Sequence, residues 1–217
     1  MHLLTNSLIF PSVEEADENG LLAIGGDLGA ERLLLAYRSG IFPWFNEEDP
    51  ICWWSPDPRF VLYPADIKIS KSMQAIFRKN IFEFKIDTAF EQVITQCQNT
   101  YRDGQDGTWI TEEMKAAYIN LHRQGYAHSA EAWWDGKLVG GLYGIRLGKV
   151  FFGESMFSHA SNASKFAFIN YVKQLHQEHV ELIDCQLHTN HLESLGARMI
   201  SRKHFKTLLE EHIKVAK

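Results

Sequence analysis

The amino-acid sequence predicts a mixed α/β protein of the α+β type, with a small N-terminal domain followed by a larger domain. Segments with strand-like alternation or short apolar runs are interspersed with capped, amphipathic segments that are typical of helices. Residues 50–58 contain three prolines and two tryptophans, a composition that excludes a regular helix or a central strand. We therefore place the boundary there and expect domains at residues 1–58 and 59–217.

The first domain is predicted to contain one helix and two aromatic segments. Apolar residues at helical spacing indicate a helix over residues 30–38, which ends at Gly40. The segment Gly40–Phe45 then combines a proline with three aromatic residues. Together with Trp53 and Trp54, these rings either pack against one another between the domains or line a site, and the pattern leaves both interpretations open.

The second domain is predicted to alternate between helices and strands. Ser70 and Thr111 are expected to cap two of the helices, and Asp135-Gly136 is typical of a hairpin turn. The predicted strands are 60–63, 82–86, 127–133, 138–145, 150–157 and 182–186, and the predicted helices are 70–79, 88–97, 112–123, 163–177, 190–196 and 202–215. An antiparallel meander, a long crossover helix and a parallel strand, in this order, are typical of acyl-CoA N-acetyltransferase-like domains. We therefore expect residues 59–217 to form such a domain.

The stretch Glu181–Ala197 places two polar side chains at the end of a predicted strand. Asp184 and Gln186 are two residues apart and would point to the same face of a regular strand. Cys185 and Leu187 would then lie on the opposite, packed face. Because sites in α/β folds lie outside the carboxyl ends of strands, the carboxylate and the carboxamide are either reacting groups or solvated edge-strand residues.

Composition and charge restrict the class of protein. The chain has 217 residues, 45% of them hydrophobic, and a net charge of −5, which argues against bulk electrostatic binding of nucleic acid. The three cysteines are far apart, so we expect neither a disulfide framework nor a zinc site. The N-terminus lacks the features of a signal peptide, and no run approaches the ~20 apolar residues of a membrane span. These features predict a soluble, cytoplasmic protein that does not bind membranes.

Three familiar chemistries lack their motifs in this sequence. Gly153–Phe157 resembles a nucleophile elbow but lacks the second glycine of GxSxG and lies in a meander. His188 and His191 lie near Asp184 without HExxH or metal-type carboxylate spacing, so we expect no metal. The tract Ser158–Asn162 stands in place of the glycine-rich loop that binds the pyrophosphate of coenzyme A. We therefore expect no cofactor, and an acyl donor other than acetyl-CoA.

Several motifs, in order along nearly the whole chain, resemble those of the leucyl/phenylalanyl-tRNA–protein transferases. They are Gly20–Leu28, Tyr37–Phe45, Trp53–Arg59, Gly107–Ile110, Gly153–Phe157, Asn162–Lys165 and Asp184–Ala197. The strings GIFPWF and WWSPDPR within them are highly specific. The resemblance implies an N-end-rule enzyme that moves Leu or Phe, and less well Met, from aminoacyl-tRNA onto the N-terminal Arg or Lys of an acceptor protein, marking it for degradation.

The resemblance also implies roles for three polar residues. Asp184 and Gln186 would be catalytic, with Asp184 hydrogen-bonding and polarising Gln186, whose oxygen then orients the attacking amine. In a competing view this pair only positions the substrate, while the terminal hydroxyl of the tRNA assists. Glu154 and Asp184 would bind the cationic N-terminal residue of the acceptor.

Further residues are assigned by the same resemblance to binding of the aminoacyl-tRNA donor. The residues that would form the aminoacyl side-chain pocket are Leu142, Phe151, Phe168, Tyr171 and Ile183. Those that would stack on the terminal adenosine are Tyr37, Trp44 and Trp109. Those that would contact tRNA phosphates are Lys71, Arg78 and Lys79, which by pattern alone are a solvated helix face.

Two positions depart from the family pattern. Ala75 stands where a further basic residue is common, which weakens the predicted contact to tRNA. Thr189 stands where the family has Asn after the Asp-Cys-Gln motif; Asn190 is adjacent, and the resemblance leaves open which of the two takes the role of that Asn. The local pattern separately makes both residues candidates for the cap of the next helix. Two rival hypotheses are a tRNA-binding module without catalysis and a coenzyme A-dependent acetyltransferase.

Overall fold

The computed structural model of the protein describes residues 2–100 and 109–213. Its strands are β1 (His2–Leu4), β2 (Leu21–Gly25), β3 (Phe42–Pro43), β4 (Cys52–Trp54), β5 (Arg59–Leu62), β6 (Glu83–Ile86), β7 (Ala127–Trp134), β8 (Lys137–Leu147), β9 (Val150–Ser158), β10 (Leu182–Gln186) and β11 (Arg198–Ile200). Its helices are α1 (Ala30–Arg38), α2 (Lys71–Lys79), α3 (Phe90–Gln98), α4 (Glu112–Arg123), α5 (Ala163–Gln177), α6 (Asn190–Ser194) and α7 (Arg202–His212).

Most predicted helices agree closely with the observed ones. Ser70 and Thr111 cap α2 and α4, where each hydroxyl accepts a hydrogen bond from the backbone N–H three residues later, at 3.3 and 3.1 Å. Helix α5 has the predicted bounds. The last helix ends at His212, whereas the prediction extended it to Val215, which lies outside the described residues. The predicted loop at 102–107 also lies outside them.

The larger sheet has the strand order β11-β5-β10-β9-β8-β7-β6. Strands β7 to β9 form the predicted antiparallel meander, and β6 pairs antiparallel with β7 at its edge. The turn between β7 and β8 has positive φ at Asp135 and Gly136, as expected for the predicted hairpin. Helix α5 then leads from β9 to β10, which pairs parallel to β9. The predicted fold class is therefore confirmed: an α+β protein with a meander, a crossover helix and a parallel strand.

The N-terminal part of the chain forms a separate four-stranded sheet in the order β1-β2-β4-β3. The expectation that residues 50–58 exclude a central strand is wrong, because β4 pairs with both β2 and β3; the three prolines lie outside its residues Cys52–Trp54. The first strand of the larger sheet along the chain is β5, which starts at Arg59. It pairs antiparallel with both β10 and β11. The sequence indicated a strand here, but it contains no signal for partners that follow more than 100 residues later. The domain division at residue 58 stays a prediction.

Helices cover both faces of the larger sheet. Consecutive residues of a strand face opposite ways, and Phe151 and Phe152 belong to two separate clusters of buried side chains. The cluster around Phe152 includes buried residues of α1, α3, α4 and α7, whereas the cluster around Phe151 includes residues of α2 and α5. Helix α1 of the N-terminal part therefore shares a hydrophobic core with the larger sheet.

Two irregularities lie side by side in the larger sheet. The register between β8 and β9 shifts so that Glu154 has no directly opposed residue. A second shift, between β10 and β5, leaves Cys185 without one. Parallel pairing between β9 and β10 ends at Phe152 and Asp184. Because bulges redirect side chains and end pairing, the two strands separate here and leave space between them.

Gly144 on β8 has no room for a side chain. A Cβ atom there would lie 2.1 Å from the backbone oxygen of Phe152 and 2.4 Å from the ring of Phe151. We expect Gly144→Ala to lower the free energy of unfolding by about 1–3 kcal/mol, as overpacking does, in urea titrations followed by circular dichroism. Gly153→Ala is the control, because a Cβ there meets no atom closer than 3.6 Å. Equal losses in both variants would contradict the packing argument.

Candidate active site

A cavity of about 410 Å³ opens where β9 and β10 separate. Its walls come from the segment 42–44, strands β8 and β9, helix α5, and the stretch 183–192. Most of the lining side chains are apolar, and the polar ones include Glu154, Gln186, Thr189 and His191. A concave apolar pocket with a small number of fixed polar groups is the usual form of a small-molecule site. This cavity is therefore the candidate active site.

Asp184 lies beside the cavity, fully buried and paired with Arg59. Arg59 donates from Nε to Oδ1 at 2.8 Å and from Nη2 to Oδ2 at 2.7 Å, and the two side chains are 1% and 0% exposed. The backbone N–H of Gln186 also donates to Oδ1, at 3.0 Å. Asp184 has no exposed surface through which to contact an acceptor. The expectation that Asp184 binds the acceptor directly is therefore wrong.

Gln186 is the last residue of β10 and pairs with Phe60, but its backbone turns there and is not extended. Its φ is 61°, and the backbone N–H of Leu187 donates to the carbonyl of Cys185 at 2.7 Å. The carboxamide Nε2 of Gln186 donates to Oε1 of Glu154 at 3.0 Å. The expected bond between the Asp184 carboxylate and this carboxamide is therefore wrong, since Asp184 holds the backbone of Gln186. Cys185 and Leu187 both line the cavity. Cys185 also packs against the hydrophobic cluster around Phe151, as predicted, whereas Leu187 is exposed, so the expected packed face is wrong for Leu187 alone.

The Glu154 carboxyl group accepts hydrogen bonds from three neutral donors. Besides Gln186, these are the hydroxyls of Tyr37, at 2.8 Å, and Tyr118, at 3.0 Å. The two tyrosine oxygens also lie within hydrogen-bond distance of each other, and because each hydroxyl has one proton, both donate to Glu154 only when neither donates to the other. Burial raises the pKa of Glu154 to about 7. The negative charge of Asp184 also raises this pKa, whereas the three hydrogen bonds lower it. Burial, followed by the charge of Glu154, raises the pKa of both tyrosines well above the ordinary value, so they remain donors.

Three of the residues predicted for the aminoacyl pocket line the cavity, namely Leu142, Phe168 and Ile183. Phe151 and Tyr171 do not. Their rings pack edge to face, 5.0 Å apart, within the same buried cluster as the three lining residues. The expectation of direct contact is therefore wrong for Phe151 and Tyr171, which support the cavity wall from within the core.

Two of the three rings predicted to stack on the adenosine are available for stacking. Trp44 and Trp109 line the cavity and are partly exposed. Tyr37 is 0% exposed, packs against Phe152 with ring centroids 5.1 Å apart, and donates its hydroxyl to Glu154. The expectation that Tyr37 stacks on the adenosine is therefore wrong, because its ring has no exposed face.

The predicted tRNA-binding residues lie together on α2, outside the cavity. Lys71, Arg78 and Lys79 are all exposed, whereas Met73 of the same helix is buried in the hydrophobic core. Their exposure fits both a solvated helix face and a phosphate-binding patch. The contact with tRNA phosphates stays a prediction.

Thr189 is the cap of α6, the short helix beside the cavity. Its Oγ1 accepts a hydrogen bond from the backbone N–H of Leu192 at 3.2 Å, and Asn190 is the first residue of the helix. His191 also lines the cavity. Burial, and secondarily the charge of Lys165, lowers the pKa of His191 and so favours the neutral imidazole.

Two further features are absent from residues 2–100 and 109–213, a metal-binding cluster and a membrane-spanning helix. There, no three His, Cys, Asp or Glu side chains are grouped as a metal site would require. The expectation that the protein needs no metal stays a prediction. None of the helices in these ranges has the length and apolar character needed to cross a membrane.

Sequence reasoning missed three residues that build the site. Arg59 stands at the end of the motif Trp53–Arg59, but nothing in the pattern pairs it with Asp184. Tyr118 lies on the buried side of α4, where an aromatic residue normally indicates only packing. Phe42 lies in the aromatic segment 40–45, and its place in the cavity wall follows only from the fold.

Comparison with known proteins gives the family. A model described as leucyl/phenylalanyl-tRNA protein transferase matches residues 61–210, and one for the N-terminal domain of that family matches residues 26–57. The chain belongs to the leucyl/phenylalanyl-tRNA–protein transferase family. Relatives that carry this name include one from Syntrophobacter fumaroxidans, 57% identical over 97% of this chain and 90% of its own length. Another, from Flavobacterium johnsoniae, is 57% identical over 97% of this chain and 99% of its own length.

Membership of the leucyl/phenylalanyl-tRNA–protein transferase family identifies the protein as an enzyme that transfers an aminoacyl group from tRNA to protein. The resemblance noted in the sequence is thereby confirmed, and the two rival hypotheses are set aside. Among solved structures, a GCN5-related N-acetyltransferase from Kribbella flavida is 8% identical, with a TM-score of 0.38 over 76% of this chain and 58% of that chain. That likeness is too low to support an argument about function.

Asp184→Asn removes the charge that pairs with Arg59. Because Arg59 would stay buried without its counter-ion, we expect the free energy of unfolding to fall by about 3–5 kcal/mol in urea titrations. The matched control is Glu91→Gln, which removes the charge from an exposed pair with Arg123 at 2.9 Å and should cost less than about 1 kcal/mol. A loss at Asp184 no larger than the loss at Glu91 would rule out this account of the pair.

The raised pKa of Glu154 makes the stability of the protein depend on pH. The folded protein keeps this carboxyl protonated up to a pKa of about 7, whereas the ordinary value is 4.5. Between these values the folded state holds more protons than the unfolded state, so stability falls as pH rises. We expect the stability of the wild type relative to Glu154→Gln, which cannot titrate, to fall as pH rises through this window. Thermal unfolding of both proteins at several pH values measures this difference in stability. A difference that does not change with pH would contradict the raised pKa of Glu154.

Proposed function

We propose that the enzyme transfers Leu or Phe, and less well Met, from aminoacyl-tRNA to the N-terminal Arg or Lys of acceptor proteins, and that this transfer marks them for degradation by the N-end rule. One observation carries the proposal: an apolar cavity beside a carboxamide, that of Gln186, which is held by Glu154 at 3.0 Å. The first feature suits an apolar aminoacyl group, and the second suits an attacking amine. Because aminoacyl-tRNA is a cytoplasmic molecule, we place the reaction in the cytoplasm.

The apolar part of the cavity supports the choice of donor. Leu142, Met156, Phe168 and Ile183 line it, and none of these side chains offers a hydrogen bond to a polar aminoacyl group. A side chain that is not branched at Cβ, such as that of Leu, Phe or Met, can extend into such a pocket, whereas a β-branched one places bulk at the entrance. Discrimination between hydrophobic side chains is limited, because a single methylene is worth only about 1–3 kcal/mol.

The reaction is aminolysis of an activated ester. The α-amine nitrogen of the acceptor attacks the ester carbonyl carbon, a C–N bond forms, and the C–O bond to the terminal ribose breaks. The amine loses a proton and the ribose oxygen gains one, so no other reactant is consumed. Since the ester is already activated, the enzyme contributes mainly by orienting the two reactants.

Gln186 is the proposed orienting group at the reacting atoms. Its Nε2 is engaged by Glu154, so its carboxamide oxygen is left to accept a hydrogen bond from the attacking amine. A carboxamide is a poor base, and the terminal hydroxyl of the tRNA is the alternative proton acceptor. Asp184 supports this residue through its backbone N–H. Both roles of Gln186, in proton transfer and in positioning alone, fit the geometry.

Glu154 is the proposed recognition group for the cationic acceptor. Its protein partners are two hydroxyls and an amide, all of them neutral. A neighbouring cation favours the ionised carboxylate, and charge-assisted hydrogen bonds are the stronger ones. Arrival of an Arg or Lys side chain would therefore supply the counter-ion that Glu154 lacks.

The tRNA end of the donor is proposed to lie against the aromatic rings. Trp44 and Trp109 border the cavity and would stack on the terminal adenosine, whichever aminoacyl group it carries. Lys71, Arg78 and Lys79 of α2 would contact tRNA phosphates. This arrangement gives an acidic protein one local basic surface for tRNA.

Transfer of labelled Phe from Phe-tRNA to a protein that begins with Arg tests the proposed function. We expect transfer to Arg- and Lys-starting proteins and little to a matched protein that begins with Gly. Gln186→Ala should lower kcat/KM by about a hundredfold, because the amine loses its orienting group. Gln124→Ala, at the exposed end of α4, is the control and should behave as wild type. If Phe is transferred neither to the Arg-starting nor to the Lys-starting protein, the proposal is refuted.

Lys71→Glu combined with Arg78→Glu tests the basic surface of α2. We expect weaker tRNA binding and a shallower dependence of log Kd on log salt concentration, because fewer counterions are released. Lys137→Glu combined with Lys203→Glu is the control, with the same change of charge at exposed positions outside α2. Filter binding at several salt concentrations measures both variants, and the same salt slope in both would place the tRNA elsewhere.

A further inference from the structure

Arg59 lies behind the candidate active site and contacts three separate parts of the chain. Its guanidinium group donates twice to Asp184, as described above, and once from Nη1 to the carbonyl of Gly40 at 3.2 Å. The guanidinium carbon also lies 4.7 Å from the ring centroids of both Phe42 and Phe205. At 1% exposure, Arg59 is therefore fixed in position and in plane.

The turn at Gln186 requires support from its surroundings. A φ of 61° is left-handed, a conformation that costs a residue with a side chain roughly 1–2 kcal/mol and that Gly, Asn and Asp adopt most readily. If Gln186 returned to extended backbone, its side chain would move away from Glu154. Such strained residues persist where the surrounding structure holds them, and they cluster at functional sites.

Asp184 connects these two features. Its Oδ1 accepts both the Nε–H of Arg59, at 2.8 Å, and the backbone N–H of Gln186, at 3.0 Å. The second oxygen is held by Arg59 Nη2, so the carboxylate cannot rotate without breaking the bidentate pair. The orientation of the guanidinium group therefore fixes the position of Asp184 Oδ1, the atom that accepts the hydrogen bond from the Gln186 N–H.

We infer that Arg59 is a positioning residue for aminoacyl transfer, which holds Gln186 in its left-handed turn through the carboxylate of Asp184. The inference rests on the proposed role of Gln186. Arg59 itself does not line the cavity and touches no substrate. The bidentate geometry requires a planar fork, so Lys cannot replace Arg even though it keeps the charge.

A purely structural role would have a different signature. Buried ion pairs often contribute little to stability compared with apolar residues of the same volume. A residue that only stabilised the fold would change the unfolding transition and leave the turnover of folded molecules intact. A positioning residue changes kcat in molecules that are fully folded, because the reacting groups are misaligned.

The kinetic test compares Arg59→Lys with wild type at a temperature where both are folded by circular dichroism, using Phe-tRNA and a peptide that begins with Arg. We expect kcat to fall by about a hundredfold, with the KM for Phe-tRNA within about threefold of wild type. The control is Leu209→Ala, a buried α7 residue in the same hydrophobic cluster as Phe205, which should reduce stability without reducing kcat. An unchanged kcat, or a change confined to KM, would overturn the inference.

A second measurement does not depend on turnover. Amide hydrogen exchange by NMR should show lost protection at the Gln186 N–H in Arg59→Lys, with protection retained at Ile183 in the interior of the same strand. Retained protection at Gln186 would also overturn the inference.

If Arg59→Lys does not fold, a second variant tests the same link. Phe205→Leu removes one aromatic ring from contact with the guanidinium group and should also lower kcat. Absence of transfer by the wild type, with the exchange result as expected, would refute the proposed function and not the link from Arg59 to Gln186.

Discussion

The buried pair of Arg59 and Asp184 joins the segments from which the candidate active site is built. Arg59 begins β5, Asp184 lies in β10, and the guanidinium group also contacts Gly40 and the ring of Phe205 on α7. Neither charge is tolerated alone in a buried environment, because the desolvation of each is offset only by the other. The N-terminal segment at Gly40, strands β5 and β10, and helix α7 therefore meet around this pair. The cavity lies next to this junction.

Two carboxylates near the cavity have different environments. Asp184 faces a guanidinium group and has no exposure, so it is a fixed part of the scaffold. Glu154 faces two tyrosine hydroxyls and an amide, and burial raises its pKa to about 7. A carboxyl group without a cationic partner responds to an incoming charge, whereas one that is already paired does not. The proposed division of labour between support and recognition follows from this difference.

The sheet supplies the space for the site through its irregularities. One bulge lies at Glu154 on β9 and another at Cys185 on β10, and pairing between the two strands ends at the same level. Regular strands would have continued side by side and filled the cavity with backbone. The bulges also turn Gln186 toward Glu154, which two-residue alternation alone would not do. The positive φ of Gln186 and the opening of the cavity therefore both occur where these bulges interrupt the sheet.

The sequence by itself determined the order of helices and strands from β5 to α7, apart from β11, together with the helix caps at Ser70 and Thr111 and the importance of the stretch at β10. These features depend on periodicity and local capping, which neighbouring residues set. It also assigned Leu142, Phe168 and Ile183 to the pocket by family resemblance. Only the tertiary structure decided that Tyr37 is buried against Glu154, that Phe151 and Tyr171 lie in the core, and that Asp184 pairs with Arg59. These outcomes depend on bulges and on contacts between residues 117 to 125 positions apart, for which local sequence contains no signal.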